Sequence, residues 1–400
     1  MLKVVSAQEA LQIIEEKFNH SDSETEKVSL YHSLGRVVSQ DILSSENIPA
    51  FNRSTVDGYA VKASDTYGCG ESIPAQLEII GEILMGEEAT QKIAEGQCIK
   101  IFTGGMLPQG SDSVVMVEHT DNSFDSLCLV YKTVSPFENV TKKGDDITEG
   151  QTVLSKGTEI TSRETGILAS LGITEIPVRE KLRVGIISTG DEIVPVDSEI
   201  TFGKIRDINS HILSSLMTEH GCITKEYGIV KDRYEDIHSA VVKAVKENDI
   251  ILISGGSSAG ARDMTADIIS SLGEVYVHGI ALKPGKPTII GKIDNKAVFG
   301  LPGHPLASYF VCLRFIVPLA DSLLCRKSKE KYTESVITQN ISSNHGREEI
   351  ICVKLTPKGA EPIFSKSGVI SVLSQSDGYI IIDRNREGLR SGEKVKVHLF

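Results

Sequence analysis

The spacing of apolar residues divides the chain into regions of different texture. Near its start, Ser6 and Glu9 form an S-x-x-E capping box ahead of Ala10, Ile13, Ile14 and Phe18, whose helical spacing predicts an amphipathic helix. A second box, Thr161 and Glu164, opens another short helix that stops at Gly172. Between them, over 47–146, the apolar runs shorten to QLEIIGEIL, QCIKIF, DSVVMVE and LCLVYKTV, each bounded by Gly, Pro or Asp. Such runs predict strands, and hence a small β domain inserted into a discontinuous helical one made of 1–46 and 147–178.

Over 179–326 strand and helix patterns alternate. LRVGIIS reads as a strand, INSHILSSLMTEHG as a helix ending at Gly221, and YGIV as a strand. The next helix puts Ile237, Ala240, Val241, Ala244 and Val245 on one face. DIILIS is apolar almost throughout, as expected of a strand buried on both faces of a parallel sheet. A helix with signals beginning near Asp263 follows, then strands EVYVHGIAL, TIIGKI and AVFGL and a last helix. This alternation predicts a doubly wound α/β domain whose ligands sit at the carboxyl ends of the strands. Over 327–400 strands return (ESVITQ, EIICVKL, GYIIID, KVKVHLF), with turns at Pro357-Lys358-Gly359 and Glu387-Gly388, predicting a C-terminal β-barrel-like domain. The predicted fold class is thus α/β and multi-domain.

Composition narrows the function. The 400 residues are 40% hydrophobic with 35 glycines, which suits several globular domains of ~150 residues each. A net charge of −12 argues against a general nucleic-acid or anionic-membrane binder, so an anionic ligand must be held by a local arrangement. The 7 cysteines contain no CxxC, which points to reduced thiols in a cytoplasmic protein rather than a disulfide framework or zinc site. No signal-peptide core opens the chain, and the apolar stretch from Tyr309 to Leu324 is interrupted by Arg314, Pro318 and Asp321, against a membrane span.

Four loops in the α/β region carry the chemistry: STGDE (188–192), SGGSSAGARD (254–263), KPGKP (283–287) and LPGHP (301–305). Strand order should bring them to one sheet edge. In SGGSSAG, small residues let backbone N–H groups face an anion beside a helix N-terminus, which favours phosphate over a mere flexible turn. The absence of GxGxxG and GK[ST] disfavours dinucleotide and P-loop sites. The same loop matches G-x-S-x-G, so a hydrolase built on Ser258 with His278 or His304 is an alternative, although its helix signals start too late for a nucleophile elbow. In KPGKP, prolines stiffen a turn bearing Lys283 and Lys286, two ammonium groups suited to an oxyanion rather than ordinary solvated lysines. Asp191, Glu192, Asp207 and Asp263 stand at strand ends and helix starts, where plain capping is the alternative role. An anionic ligand among these acids needs a cation, and Mg²⁺ is the natural one.

These motifs, together with NIPAFNRSTVDGYAV (47–61), FTGGMLPQGSDSVV (102–115) and KGDDITEGQ, occur in the order of one family. The chain resembles the MoeA family of molybdopterin molybdenumtransferases, and through it the E domain of gephyrin, over essentially its whole length. The resemblance implies an elongated homodimer with a central molybdopterin-binding α/β domain. It also implies Mg²⁺-dependent insertion of molybdate, or tungstate, into adenylylated molybdopterin with release of AMP. By matching position, Asp57, Thr103, Asp146, Glu192, Asp207 and Asp263 would be catalytic, with Glu192, Asp207 and Asp263 holding metal. Thr189, Gly190, Asp191, Asn209, Ser254, Gly255, Gly256, Ser258, Gly260, Lys283, Lys286, Pro302 and His304 would bind substrate. The upstream adenylyltransferase is a further expected partner; nucleic acid and membrane are not. Without the resemblance, Asp57-Gly58 would read as a turn.

Two positions depart from the family pattern. His304 stands where the family typically has asparagine, which bears on the choice between molybdate and tungstate, and Ser257 and Ala259 replace larger apolar residues. A non-catalytic pterin-binding scaffold is the rival reading from another class. The retention of Asp57, Asp146, Glu192, Asp207 and Asp263 together favours the enzyme, since a scaffold has no need of so many costly acids.

Overall fold

The structure, a computed structural model, describes residues 4–18, 24–124, 126–255, 259–327, 331–364 and 368–400, with 124 and 259–263 described by backbone alone. The first helix, Ala7–Phe18, is closed by its capping box: Ser6 N donates to the Glu9 carboxylate at 2.7 Å and Glu9 N donates to Ser6 Oγ at 3.2 Å. Its buried face (Ala7, Ala10, Ile14, Phe18) joins the core of the α/β unit. The second box, Thr161 with Glu164, caps the helix Ser162–Ser170 as its spacing requires. Antiparallel pairing of Thr25–Ser29 with Glu175–Arg179, a ribbon that no helical period announces, closes a small core of Val38, Ile160, Leu168 and Val178.

In the β region one six-stranded sheet runs Ser113–Met116, Gly58–Val61, Gln97–Ile101, Ala75–Ile83, Leu127–Val130 and Thr120–Phe124 in spatial order. Gly58 is required there by close approach, because a Cβ would fall 1.9 Å from the Val115 carbonyl oxygen.

The α/β unit consists of β1 (Arg183–Thr189), α1 (Asn209–Glu219), β2 (Ile223–Val230), α2 (Tyr234–Glu247), β3 (Ile250–Gly255), α3 (Ala259–Leu272), β4 (Glu274–His278), β5 (Ile289–Ile293), β6 (Lys296–Leu301) and α4 (Pro305–Val311). Its sheet order is β2-β1-β3-β6-β5-β4. Strands β2, β1, β3 and β6 are mutually parallel, while β5 runs antiparallel to both neighbours. As its uniform apolarity predicts, β3 lies between two parallel partners with Ile250 to Ile253 buried.

Two local expectations change. Helix α3 begins at Ala259, not near Asp263, because Ala259, Ala261 and Arg262 are good helix formers and need no later cap. A late helix start therefore does not exclude a nucleophile elbow. EVYVHGIAL is also not one strand: it breaks at Gly279, whose φ is +111°, and Leu282–Lys283 crosses to pair in parallel with Glu348 and Glu349. That crossing welds the α/β edge to the C-terminal sheet, ordered Leu282–Lys283, Glu348–Thr356, Gly378–Ile382, Lys394–Leu399, Tyr332–Val336. Among the described residues one helix, Pro305–Leu323, is long and apolar enough to cross a membrane, and Phe310, Val311, Phe315 and Leu319 bury it in the core.

Candidate functional site

Topology gathers the four loops. The parallel strands β1, β3 and β6 end at Thr189, Gly255 and Leu301, so STGDE, the start of SGG and LPGHP leave one edge of the sheet. KPGKP reaches the same edge because it enters the antiparallel β5. Asn209, on the first turn of α1, ties two of these loops: its Nδ2 donates to Ser254 Oγ at 2.7 Å and to the Gly303 carbonyl at 2.9 Å. Gly255 fits against the first loop only as glycine, since its φ is +140° and a Cβ would lie 2.0 Å from the Thr189 carbonyl oxygen. The structure thus brings Thr189, Gly190, Asn209, Ser254 and Gly255 together. Gly256 and Ser258 lie outside the described residues; Gly260 and Asp263 fall on the first turns of α3, where only the backbone is described.

On one side of this edge are acids. A short parallel ribbon, Ile193–Val194 with Ile205–Arg206, joins the segment bearing Asp191 and Glu192 to Asp207. Glu192 is exposed; Asp207 is buried and its Oδ1 accepts from Ser210 N at 3.1 Å, so it also serves the start of α1. A further acid was missed by sequence reasoning. Asp232 follows β2, the strand beside β1, and its short loop, Lys231-Asp232-Arg233, has none of the glycines that marked the others. Its Oδ1 is buried and has no hydrogen-bonding partner among the described residues. Burial first, then the charges of Glu192 and Asp191, push its carboxyl above the ordinary aspartate value, while a Thr189 side-chain hydrogen bond opposes them.

The oxygen donors of this acid group suit Mg²⁺ in kind, and the orphaned Asp232 oxygen offers it an anchor. Among the described residues no three His, Cys, Asp or Glu side chains converge as a finished metal cage.

On the other side of the edge is a cavity of about 880 Å³ between the α/β unit and the C-terminal sheet. KPGKP supplies Lys283 and Lys286 to its wall, LPGHP supplies Pro302 and His304, and the C-terminal region supplies Arg347, Glu349 and Phe364. His304 stands at the N-terminus of α4 without a side-chain capping bond. Arg347 was also missed by sequence reasoning, because nothing in the C-terminal strand pattern marks it as facing KPGKP. Its Nε is buried and without a hydrogen-bonding partner among the described residues.

Asp57, Thr103 and Asp146 belong to the β region and its junction. Thr103 donates to Asp57 Oδ1 twice, from its backbone N–H at 2.7 Å and its hydroxyl at 2.8 Å. Those two bonds, backbone first, hold the Asp57 carboxyl below the ordinary aspartate value, with burial a small opposing effect. None of the α/β edge acids contributes to that shift. Asp146 is exposed, with its backbone N–H bonded to the Ile48 carbonyl at 3.0 Å. The single chain therefore joins Asp57 to Thr103.

Comparison with known proteins agrees along the whole chain. Family models match over residues 5–172 (MoeA N-terminal region, domain I and II), 185–322 ("Probable molybdopterin binding domain") and 335–400 (MoeA C-terminal region, domain IV). A protein of Methanocaldococcus jannaschii assigned to molybdopterin biosynthesis is 40% identical over 404 residues, covering 98% of this chain and 97% of its own. The molybdopterin molybdenumtransferase of Haemophilus influenzae is 30% identical, with 94% of each chain covered. A crystal structure of the molybdopterin biosynthesis MoeA protein from Pyrococcus horikoshii superposes with a TM-score of 0.89 at 32% identity, covering 100% of both chains.

Proposed function

The chain belongs to the MoeA family, and on that premise we propose that it is a molybdopterin molybdenumtransferase acting on adenylylated molybdopterin. It inserts molybdate, or tungstate, into the dithiolene and releases AMP. One observation carries this reading: a phosphate-suited loop lies between a group of acids and a cation-lined cavity, all at one sheet edge. Such an edge accommodates two different anions, a diphosphate and a metal oxyanion.

In this scheme the backbone around Ser254 and Gly255, at the amino end of α3, receives the diphosphate. One or two carboxylates drawn from Glu192, Asp207, Asp263 and the neighbouring Asp232 would hold Mg²⁺, which when bound neutralises diphosphate charge. Lys283, Lys286 and Arg347 hold the oxyanion beside the dithiolene, and Pro302 and His304 shape its pocket. Water cleaves the phosphoanhydride to give AMP and the pterin phosphate, and the two dithiolene sulfurs replace two oxygens of the oxyanion, which leave as water with the thiol protons and protons from solvent. Asp57, Thr103 and Asp146 complete the site from the partner subunit of a homodimer. An exposed carboxylate held low by Thr103, without any acid of the α/β edge acting on it in its own chain, supports that assignment. The chain divides into 1–46 with 147–178, 47–146, 179–326 and 327–400 on the same reading.

The test is AMP release from adenylylated molybdopterin by purified protein with Mg²⁺ and either oxyanion. Release that depends on the oxyanion is expected, and the preferred oxyanion reports what His304 does to selectivity. Binding of the pterin without AMP release would replace the enzyme with a scaffold. Labelling of Ser258 by a fluorophosphonate would replace it with a hydrolase.

A further inference from the structure

Glu349 is the one acid on the cavity wall among the described residues. It is only 6% exposed, yet it shares the cavity wall with the two lysines and the arginine. Its Oε1 lies 2.5 Å from Lys283 Nζ, and its Oε2 accepts from the Ser343 hydroxyl at 2.7 Å. The backbone dictates this meeting, because the Leu282–Lys283 strand pairs with Glu348–Glu349 in register, Lys283 opposite Glu349. The remaining titratable groups on the wall among the described residues are Lys286, Arg347, His304 and Cys352, whose thiol burial pushes up to about 11. Among the described residues of the wall, the Lys283, Lys286 and Arg347 cations against the one Glu349 carboxylate leave two positive charges. Molybdate and tungstate are tetrahedral dianions, so cavity and ligand match in charge. A diphosphate carries more negative charge, and the same active-site edge must hold one.

We infer that Glu349 sets the charge of this cavity: by holding Lys283 it matches the pocket to a dianionic oxyanion and keeps diphosphates from occupying it. The inference rests on the reading that the cavity receives the oxyanion. Glu349 acts through Lys283 and is a positioning residue, not a catalytic one. Removing its charge leaves a third positive charge unbalanced, which rewards each additional ligand charge by about tenfold in affinity in a partly solvated cavity. Glu349→Gln should therefore tighten pyrophosphate binding much more than molybdate binding. A purely structural role would weaken both together.

The experiment is calorimetric titration of the full chain with sodium molybdate and with sodium pyrophosphate, for wild type, Glu349→Gln and the double variant Lys283→Gln/Glu349→Gln. The double variant restores the net charge and replaces an ion pair by two amides, so it also serves if the single variant does not fold. In Glu349→Gln, a pyrophosphate-to-molybdate affinity ratio raised about tenfold is expected. In the double variant the ratio should return to the wild-type value. An unchanged ratio in the single variant, or a double variant that departs further from wild type, overturns the inference. If wild type releases AMP but binds neither salt, the inference falls and the function stands; if it does neither, both fall.

Discussion

Replacing Asp232 by Asn separates stability from chemistry at the acid group. The wild-type carboxylate is half-buried, leaves Oδ1 without a partner among the described residues and is opposed by Glu192 and Asp191. Repulsion between partly solvated like charges costs on the order of 1 kcal/mol, and half-burial of the ionised group adds to it. The amide of Asp232→Asn keeps the shape, can still meet the Thr189 hydroxyl and removes the repulsion. The variant should therefore be more stable than wild type near neutral pH, by about 2–4 °C in the Tm of a domain of this size. The sign follows from linkage. A carboxyl whose pKa is raised on folding destabilises the fold while it is ionised, and that cost disappears as pH falls through the raised value toward the ordinary aspartate value. The Tm advantage of Asp232→Asn should thus be largest near neutrality and vanish in mild acid. Mg²⁺ should act in the opposite sense: at about a hundred times its Kd it adds about 2.7 kcal/mol to a protein that binds it, and the variant should lose much of that gain together with turnover. Thermal melts of both proteins across pH, with and without Mg²⁺, read all of this. A variant less stable than wild type at neutral pH, or an advantage that persists in acid, would refute the reasoning.

Three further outcomes follow from the same geometry. Lys286→Ala, at an exposed lysine of the cavity wall, should weaken molybdate binding about tenfold while leaving the melting curve unchanged, as calorimetry and scanning fluorimetry can check. Gly255→Ala must push against the Thr189 carbonyl at a φ of +140°, so it should cost about 1–3 kcal/mol in denaturant unfolding and depress turnover through the displaced STGDE loop. Mixing Asp57→Asn with Asp232→Asn should restore activity that neither has alone, because one hybrid site keeps both acids. Failure of the mixture to recover activity, with subunit exchange verified, would assign Asp57 to a site within its own chain.

Much of this protein is legible in one dimension because local rules and the tertiary structure agree. Capping boxes at Ser6 and Thr161 start helices for reasons internal to four residues, and a run such as DIILIS already states that both of its faces are covered. Glycine-rich loops after strands reveal themselves by composition, and strand alternation is enough to send STGDE, SGG and LPGHP to one edge. Three things were decided only in three dimensions. Asp232 lies in a loop of ordinary polar residues and becomes conspicuous only when β2 pairs with β1 and delivers it beside Thr189 and Glu192. Arg347 and Glu349 are about sixty residues from KPGKP and meet it because Leu282–Lys283 leaves the α/β sheet for another one. Helix Ala7–Phe18 shows its apolar face in the sequence but not the α/β core that receives it. Periodicity records that a residue faces something apolar or charged. Only the pairing of distant strands, which depends on the free energy of the whole fold, decides what that something is.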